Sequence, residues 1–263
     1  MVDSPRDERF AAFSTEIDTV DFQKERLLIR GKDLCDLIGE GDFSSAIYHT
    51  LLNKSPSDVE KKLLNASLTS IHVGHQAIPP TIHAARVAAS TRAEVSQCLA
   101  AGLCSSGKLH LGAIRQVMEQ YISIEEWFDG GNVYDFTRNY VGAKLDGSEM
   151  LFGFGHPYMK KDPRPEALRD LVDKLGYVTD YIIMHDAIRD ELYDRKGKSS
   201  NVDGINGAIL LSLGFSPVHG EGLFLISRMI GALAHIDEEY KRPIWSAWGS
   251  LIARNNIPGL KEE

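Results

Sequence analysis

The chain of 263 residues has 37 acidic and 29 basic residues, which give a formal net charge of −8, and 43% of its residues are hydrophobic. This composition is typical of a globular protein with a buried core, and it excludes disordered and fibrous classes. A net negative charge repels polynucleotides and anionic lipid, so we expect neither a nucleic acid nor a membrane as partner.

Cysteine usage and hydropathy bear on the compartment. The three cysteines, Cys35, Cys98 and Cys104, form no C-x-x-C pair and suit a reducing environment. Cys98 and Cys104 lie in an alanine-rich helical pattern, which predicts small buried residues at both positions. Residues 1–10 are polar and acidic, unlike a signal peptide, and no apolar run approaches the ~20 residues of a membrane span. We therefore expect a cytoplasmic protein.

Hydrophobic spacing predicts an all-α fold, since no period-two pattern longer than four residues indicates a strand. Short helical patterns alternate with turns from residue 31 to 68, where Ser57 and Glu60 predict a capping box. Later helical patterns cover residues 83–103, 111–128, 166–175, 179–193, 201–213 and 222–240. Gly130 and Gly131 open a stretch without a regular pattern, and residues 151–165 are predicted to be a loop that presents side chains.

The first candidate site residue is His110, which lies where the helical pattern of residues 111–128 begins. The positive end of a helix disfavours imidazolium, so we expect a neutral ring that can donate a hydrogen bond to a carbonyl oxygen. A histidine that only caps the helix is the structural alternative.

The second candidate, His156, lies in the loop of residues 151–165. Its neighbours on either side include Gly153, Phe154, Gly155, Lys160, Lys161 and Arg164. A flexible backbone, a ring that can transfer protons and a group of cations together suit a ligand with phosphate or carboxylate groups. A solvated basic turn is the alternative.

Two further candidates lie on apolar helical patterns. Asp203 follows Asn201 at the start of the pattern of residues 201–213. The structural alternative is that Asn201 caps the helix and that Asp203 stabilises its first turn, as acidic residues commonly do. Arg228 lies within the apolar run of residues 224–231, and an arginine buried there needs a carboxylate from the protein or from a substrate. The alternative for Arg228 is a side chain that extends to the surface.

The order and local sequence of these segments resemble the citrate synthase family. The matching segments are His110-Leu111-Gly112-Ala113, Gly153-Phe154-Gly155-His156, Asp162-Pro163-Arg164, Asn201-Val202-Asp203, Ser227-Arg228-Met229-Ile230-Gly231 and Arg242-Pro243, with Gly74-His75-Gln76-Ala77-Ile78-Pro79-Pro80-Thr81 upstream. The chain departs from the family pattern at Leu111, where the family has glycine, and at Gln76-Ala77-Ile78, where it has a polar run. In length the chain is similar to compact citryl-CoA lyases, which in turn resemble the C-terminal module of ATP-citrate lyase.

The resemblance implies a citrate-synthase-like helical domain over residues 31–263, preceded by an N-terminal segment of residues 1–30. It allows a small subdomain at about residues 111–200 and implies an intimate homodimer or higher homo-oligomer. No metal is expected, because no H-x-x-x-H or H-E-x-x-H spacing comes with suitable carboxylates.

The resemblance also implies roles for individual residues. His110, His156 and Asp203 would be catalytic. The substrate carboxylates would be bound by His75, Arg164, Arg228 and Arg242, the last from the other subunit. A CoA thioester, as substrate and not as a permanent cofactor, would be bound by Gly153, Phe154, Gly155, Lys160 and Lys161.

The implied activity is cleavage of citryl-CoA to acetyl-CoA and oxaloacetate. His156 would take the hydroxyl proton, His110 would hydrogen-bond the thioester oxygen, and Asp203 would give a proton to carbon. A citrate synthase-type condensing enzyme and a non-catalytic CoA-binding regulatory subunit are the alternatives. We expect a lyase, because the chain is short of the extra helices with which larger relatives close over the site for thioester hydrolysis.

Overall fold

A computed structural model describes residues 15–73, 78–157, 159–244 and 247 of the chain. Its contacts divide the chain into two compact units, residues 1–62 and 63–263. The predicted boundary after residue 30 and the predicted subdomain at about residues 111–200 stay predictions. Among the described residues, no helix is both long enough and apolar enough to cross a membrane.

The first unit contains a small antiparallel sheet that the sequence pattern did not predict. Its strands, in the order in which they pair, are β1 (Asp18–Asp21), β2 (Arg26–Ile29) and β3 (Lys32–Asp33). Asp18 pairs with Ile29 and Asp21 with Arg26. Strands of two to four residues are too short to produce a clear period-two signal, which is why the sheet was missed.

Helices follow the sheet in the described part of the first unit. They are α1 (Leu34–Glu40), α2 (Phe43–Leu52) and the first residues of α3 (Asp58–Thr69). Asp33 and Asp42 cap α1 and α2, each by accepting hydrogen bonds from backbone N–H groups of the first turn. The capping box before α3 is confirmed, since Ser57 and Glu60 exchange hydrogen bonds between side chain and backbone.

The described part of the second unit is helical, and the predicted helical fold is confirmed there. Its helices are α4 (Pro80–Ser90), α5 (Val95–Cys104), α6 (Ala113–Trp127), α7 (Val133–Asp146), α8 (Pro163–Leu175), α9 (Asp180–Lys196), α10 (Val202–Ser212) and α11 (Pro217–Lys241). Helix α10 packs against α6, α8, α9 and α11. Because Ile205, Ala208 and Leu210 are fully buried, α10 forms the centre of this core.

The predicted single helix over residues 83–103 is wrong. The chain turns between α4 and α5, where Arg92 has a φ of 67° and Glu94 forms a capping box with Gln97. A non-glycine residue in the left-handed region cannot continue a helix. The prediction that both nearby cysteines are buried is half right, since Cys98 is buried and Cys104 is exposed.

The stretch after Gly131 is helix α7, not irregular chain. Asn132 caps it by accepting a hydrogen bond from the backbone N–H of Asp135. Helix α7 packs on α9, where Arg138 of α7 forms ion pairs with Glu191 and Asp194. A helix held partly by ion pairs shows a weak apolar period, which explains why spacing alone did not predict it.

Candidate active site

One cavity of about 480 Å³ in the second unit brings together seven of the predicted site residues, His110, Gly153, Phe154, His156, Arg164, Asp203 and Arg228. Its wall combines the start of α4, the turn before α6, the loop of residues 150–157 and the start of α10 with one face of α11. Clefts of this size that join apolar walls with a few convergent polar groups are the usual place for small-molecule chemistry.

A tight turn positions His110. The backbone N–H of His110 donates to the carbonyl oxygen of Gly107 across 2.8 Å, and Gly107 donates back across 2.9 Å. Leu111 then adopts a φ of 61°, the left-handed conformation that glycine adopts without strain. For leucine this conformation costs about 1–2 kcal/mol. Burial of the Leu111 side chain offsets that cost.

The imidazole of His110 is neutral, as predicted, but the cause differs from the predicted one. Burial, together with the positive charge of Arg228, lowers its pKa to about 4. Its Nε2 lies 3.1 Å from the hydroxyl oxygen of Thr81 on α4. Helix α6 begins only at Ala113, and its N-cap residue is Gly112, so His110 does not cap the helix.

The ring of His156 is fixed through its other nitrogen. The backbone N–H of Met159 donates to Nδ1 of His156 across 3.0 Å. Burial lowers the pKa of His156, and nearby Arg164 lowers it too, whereas Asp162 opposes the shift. A neutral ring that accepts at Nδ1 carries its proton on Nε2, so His156 presents a hydrogen-bond donor.

Asp203 is free of the capping role that was its structural alternative, because Asn201 caps α10. The side-chain oxygen of Asn201 accepts hydrogen bonds from the backbone N–H groups of Asp203 and Gly204. Within the described residues, the Asp203 carboxylate has no hydrogen-bond or ion-pair partner. Burial raises its pKa to about 6, although Arg164 and Arg228 oppose this shift.

The segments that carry His156 and Asp203 are paired directly through their backbones. Gly155 donates to the carbonyl oxygen of Ser199 across 2.7 Å, and Asn201 donates to that of Gly153 across 3.0 Å. The approach is so close that a Cβ on Gly153 would lie 2.7 Å from Cα of Gly204. Gly153 and Gly155, with φ values of 87°, therefore make the pairing possible, and the Gly155 N–H is used within the protein.

Arg228 is buried and does not extend to the surface. Its side chain donates from Nε to the carbonyl oxygen of Ile71 across 2.8 Å. Among the described residues its buried Nη1 has no hydrogen-bond partner. Burial and the charge of Arg164 lower its pKa to about 10, whereas Asp203 raises it. A buried guanidinium with an unused donor fits an anionic ligand.

Arg164, by contrast, already has a carboxylate partner. It donates from Nε and Nη2 to the two carboxylate oxygens of Asp162, across 2.9 and 2.8 Å, and from Nη1 to the carbonyl oxygen of Ser70. Although burial raises the pKa of Asp162, the hydrogen bonds from Arg164 hold it below its ordinary value. Asp162 also accepts from the backbone N–H of Val202, which ties this pair to the start of α10.

A comparison with known protein families gives a match over most of the chain. Residues 39–247 match the family described as citrate synthase, C-terminal domain. The chain belongs to the citrate synthase family.

The curated relatives of this family match the chain over part of their length. It is 31% identical over 197 residues to citrate synthase 2 of Bacillus subtilis (strain 168), which is 73% of this chain and 50% of the relative. It is 32% identical over 206 residues to a citrate synthase of Synechocystis, again 50% of that relative. The chain thus spans about half the length of the curated relatives it matches.

Among solved structures, the citryl-CoA lyase from Hydrogenobacter thermophilus has a TM-score of 0.80 and 29% identity, and the match covers 95% of each chain. An ATP citrate lyase from Methanothrix soehngenii, solved with citrate and coenzyme A, has a TM-score of 0.75 at 20% identity over 98% of this chain and 44% of that chain. At 20% identity, the similarity to the ATP citrate lyase shows a shared fold.

Of the residues that the citrate synthase resemblance selected, Arg242, Lys160 and Lys161 lie away from the cavity. His75 lies outside the described residues, so its place stays a prediction. Arg242 is 76% exposed and forms an ion pair with Glu238 on its own helix. Lys160 and Lys161 are exposed and do not line the cavity, and Lys161 forms an ion pair with Glu166 in the first turn of α8.

Sequence reasoning gave no role to two polar residues near the catalytic candidates. Thr81 contacts His110, and Lys108 lines the cavity. Thr81 lies in the quoted segment that contains His75, so its place there was the available signal. Lys108 lies in the same turn as His110 and is the lysine that lines the described cavity. Among the described residues, no group of three or more His, Cys, Asp or Glu side chains is placed to hold a metal ion.

Proposed function

We propose that the chain is a citryl-CoA lyase, which cleaves citryl-CoA into acetyl-CoA and oxaloacetate. The observation that carries this proposal is the carboxyl group of Asp203, whose pKa of about 6 lets it hold or release a proton near neutrality. It shares one cavity with two histidines that are held neutral. The likeness in fold and length to the citryl-CoA lyase from Hydrogenobacter thermophilus supports the same reaction.

Cleavage needs a proton acceptor, a donor to the thioester oxygen and a proton donor to carbon. The hydroxyl of citryl-CoA loses its proton to His156, and its oxygen becomes the keto oxygen of oxaloacetate. The broken carbon–carbon bond leaves its electron pair on the methylene carbon as an enolate of the thioester. Protonated Asp203 then delivers its proton to that carbon and forms the methyl group of acetyl-CoA.

His110 stabilises the enolate oxygen in this scheme. If the Thr81 hydroxyl donates to Nε2, the neutral ring carries its proton on Nδ1, which then donates to the thioester oxygen. Because the His110 pKa is about 4, the ring stays neutral over the whole working range and acts as a hydrogen-bond donor. Arg228 binds a substrate carboxylate with its unused donor, and His75 is proposed to bind another.

One contact favours a second candidate function, condensation of an acyl-CoA with a keto acid as in a citrate synthase. His156 carries its proton on Nε2 while Met159 donates to Nδ1, so the ring approaches an oxaloacetate oxygen as a hydrogen-bond donor. To accept the hydroxyl proton of citryl-CoA, it has to break the contact with Met159, so that the Nδ1 lone pair accepts, or so that the ring proton moves to Nδ1 and Nε2 accepts. Curated relatives named citrate synthase are consistent with this candidate.

We further propose that the chain acts as a homodimer with Arg242 from one subunit in the other subunit's site. On α11, Val218, Ile226, Ile230 and Leu233 are exposed. Their spacing of eight, four and three residues places them along one side of the helix. A second copy of the chain would cover such an apolar stripe.

The deciding experiment is product analysis with citryl-CoA as substrate. Oxaloacetate released by the purified chain is followed through malate dehydrogenase, and acetyl-CoA is quantified separately. Equal amounts of both products, absent with the Asp203→Asn variant, support the lyase. Steady release of CoA thiol and free citrate from acetyl-CoA and oxaloacetate, at the rate of condensation, would identify a synthase. Tight calorimetric binding of CoA esters with no turnover in either direction would identify a binding subunit.

A further inference from the structure

His185 of α9 lies beneath the pairing between the two catalytic segments, outside the cavity described above. Its side chain is almost fully buried. Nε2 of His185 lies 2.8 Å from the hydroxyl oxygen of Ser200, and Nδ1 lies 3.1 Å from a carboxylate oxygen of Asp186. No role in the proposed reaction has been given to any of these three residues.

The surrounding charges fix the hydrogen-bonding state of the ring. Asp186 is itself held by Arg169 from α8 and by Arg189, so it remains a carboxylate. A carboxylate accepts, so the proton of neutral His185 lies on Nδ1, and Nε2 accepts a hydrogen bond from the Ser200 hydroxyl, which is shared with the carbonyl oxygen of Asn201. Burial lowers the pKa of His185, which agrees with a neutral ring.

His185 contacts both paired segments at once. Its ring stacks on Phe154, with ring centroids 6.0 Å apart and planes 22° apart. Phe154 and Ser200 are themselves partners in the backbone bridge between the two segments. One buried side chain thus touches the loop two residues before His156 and the segment three residues before Asp203.

We propose that His185 is a positioning residue, which sets the distance between His156 and Asp203 by binding Ser200 and stacking on Phe154. This inference rests on the proposed function, because it assigns His185 to the geometry of that reaction. Proton transfers depend on donor and acceptor positions to within about 1 Å, and a misplacement of that size can cost about 10²-fold in rate. His185 acts through the two segments and touches no substrate.

The order Asp186, His185, Ser200 also has the connectivity of a nucleophilic triad. Ser200 is 5% exposed, and its hydroxyl oxygen lies 3.1 Å from the carbonyl oxygen of Asn201 as well as against His185. A carbonyl at that place repels a substrate oxyanion. The geometry therefore favours a structural joint over a second reactive centre.

Three variants separate the contacts of His185. Ser200→Ala removes the hydroxyl and keeps the backbone pairing. His185→Phe keeps a ring against Phe154 and loses the acceptor. His185→Gln restores an acceptor for Ser200. Ser90→Ala is the matched control, because Ser90 is buried on α4, donates to the carbonyl oxygen of Val87 and does not line the cavity.

Steady-state kinetics of citryl-CoA cleavage is the first readout. We expect Ser200→Ala and His185→Phe to lower kcat by about 10- to 100-fold while KM changes little, because Arg164 and Arg228 stay in place. The double variant that combines Ser200→Ala with His185→Phe should be no slower than His185→Phe alone. His185→Gln should have a higher kcat than His185→Phe. Wild-type kcat in Ser200→Ala, or a raised KM with unchanged kcat, would overturn the proposal. Where His185→Phe does not fold, Ser200→Ala decides.

Amide hydrogen exchange is the second readout, and it does not depend on turnover. Faster exchange confined to residues 153–157 and 199–204 in Ser200→Ala, with the Ser90→Ala control unchanged, supports the joint even if the wild-type protein cleaves no citryl-CoA. In that case the proposed function fails and the positioning role stands. Faster exchange spread evenly over the chain, with kcat falling only as stability falls, would show that His185 merely fills the core.

Discussion

Nε of Arg228 donates to the carbonyl oxygen of Ile71 across 2.8 Å, while Nη1 of the same guanidinium is buried without a hydrogen-bond partner in the described part of the chain. The carbonyl oxygen of Ser70, one residue earlier, accepts from Arg164. The chain just beyond the end of α3 therefore orients both arginines with backbone oxygens that the helix leaves unpaired.

This arrangement predicts that Arg228 serves ligand binding at a cost in stability. Arg228→Gln should raise KM for the tricarboxylyl thioester by about 10- to 100-fold, since a hydrogen bond to a charged group contributes about 1.5–3 kcal/mol. The free energy of unfolding should change less than the free energy of binding, because the substitution also removes a buried cation that has an unused hydrogen-bond donor. Arg195→Gln, which breaks the ion pairs of Arg195 with Glu191 and Asp146 outside the cavity, is the control. Equal KM values in the two variants would remove Arg228 from the binding site.

Asp203→Asn is expected to abolish most turnover and yet to stabilise the protein. The amide cannot exchange the carbon-bound proton, and such groups contribute about 10²–10⁴-fold. Because the folded-state pKa is raised to about 6 from 3.8, the ionised carboxylate destabilises the fold above pH 6 by up to about 3 kcal/mol. Chemical unfolding at pH 8 should therefore show a more stable variant, with the gain vanishing near pH 4. If the variant is less stable at pH 8 and has a normal kcat, Asp203 only stabilises the first turn of α10 and is not catalytic.

The protonation of Asp203 should set the pH dependence of the reaction. Cleavage needs protonated Asp203, so its kcat/KM should fall about tenfold per pH unit above about 6. Condensation is the reverse of the same step and starts from the Asp203 carboxylate and protonated His156, so its kcat/KM should fall in parallel, because the overall reaction takes up no net proton. His110, with a pKa of about 4, contributes no change between pH 5 and 8. Profiles of both reactions on one preparation test this, and a kcat/KM for cleavage that stays constant from pH 6 to 8 would contradict it.

Leu111 offers a test of backbone strain beside a catalytic residue. Leu111→Gly loses buried apolar surface but relieves the left-handed conformation, whereas Leu111→Ala loses much of that surface and keeps the strain. We expect Leu111→Gly to be the more stable of the two by about 1 kcal/mol, with kcat close to the wild-type value. Thermal unfolding of both variants decides. A more stable alanine variant would mean that the turn relaxes when leucine is replaced.

Mixing experiments test the proposed contribution of Arg242 across a dimer. Arg242 is exposed on its own subunit and lies outside the cavity. Inactive Asp203→Asn protein and inactive Arg242→Ala protein should, after verified subunit exchange, form heterodimers in which one of the two sites is whole. Recovered activity approaching half of the wild-type value per heterodimer is expected. No recovery would place Arg242 in its own subunit's site or outside any site.

The sequence predicted the site better than it predicted the structure that supports the site. Arg228 was found because a charged residue in an apolar helix has few explanations, and His110 because it precedes a helix, whereas Asp203 was selected by the family resemblance, since a first-turn acid is ordinary helix chemistry. Lys160 and Lys161 were selected by their charge and by the family resemblance, and neither says which way a loop turns. Lys161 instead forms an ion pair with Glu166. Contacts that join distant segments, such as Thr81 with His110 and His185 with Ser200, depend on tertiary packing and have no local pattern.

The contact between Gly153 and Gly204 also limits how this protein can change. A side chain at either position would force apart the loop that carries His156 and the helix that carries Asp203. Two exposed positions of the cavity wall have no such constraint, since Leu109 and Met150 line the cavity and are 89% and 68% exposed. Natural variation and laboratory selection for a different acid should therefore accumulate at Leu109 and Met150, while both glycines stay fixed. The active site thus combines two positions that cannot accommodate a side chain with two positions where substitutions can change the substrate specificity.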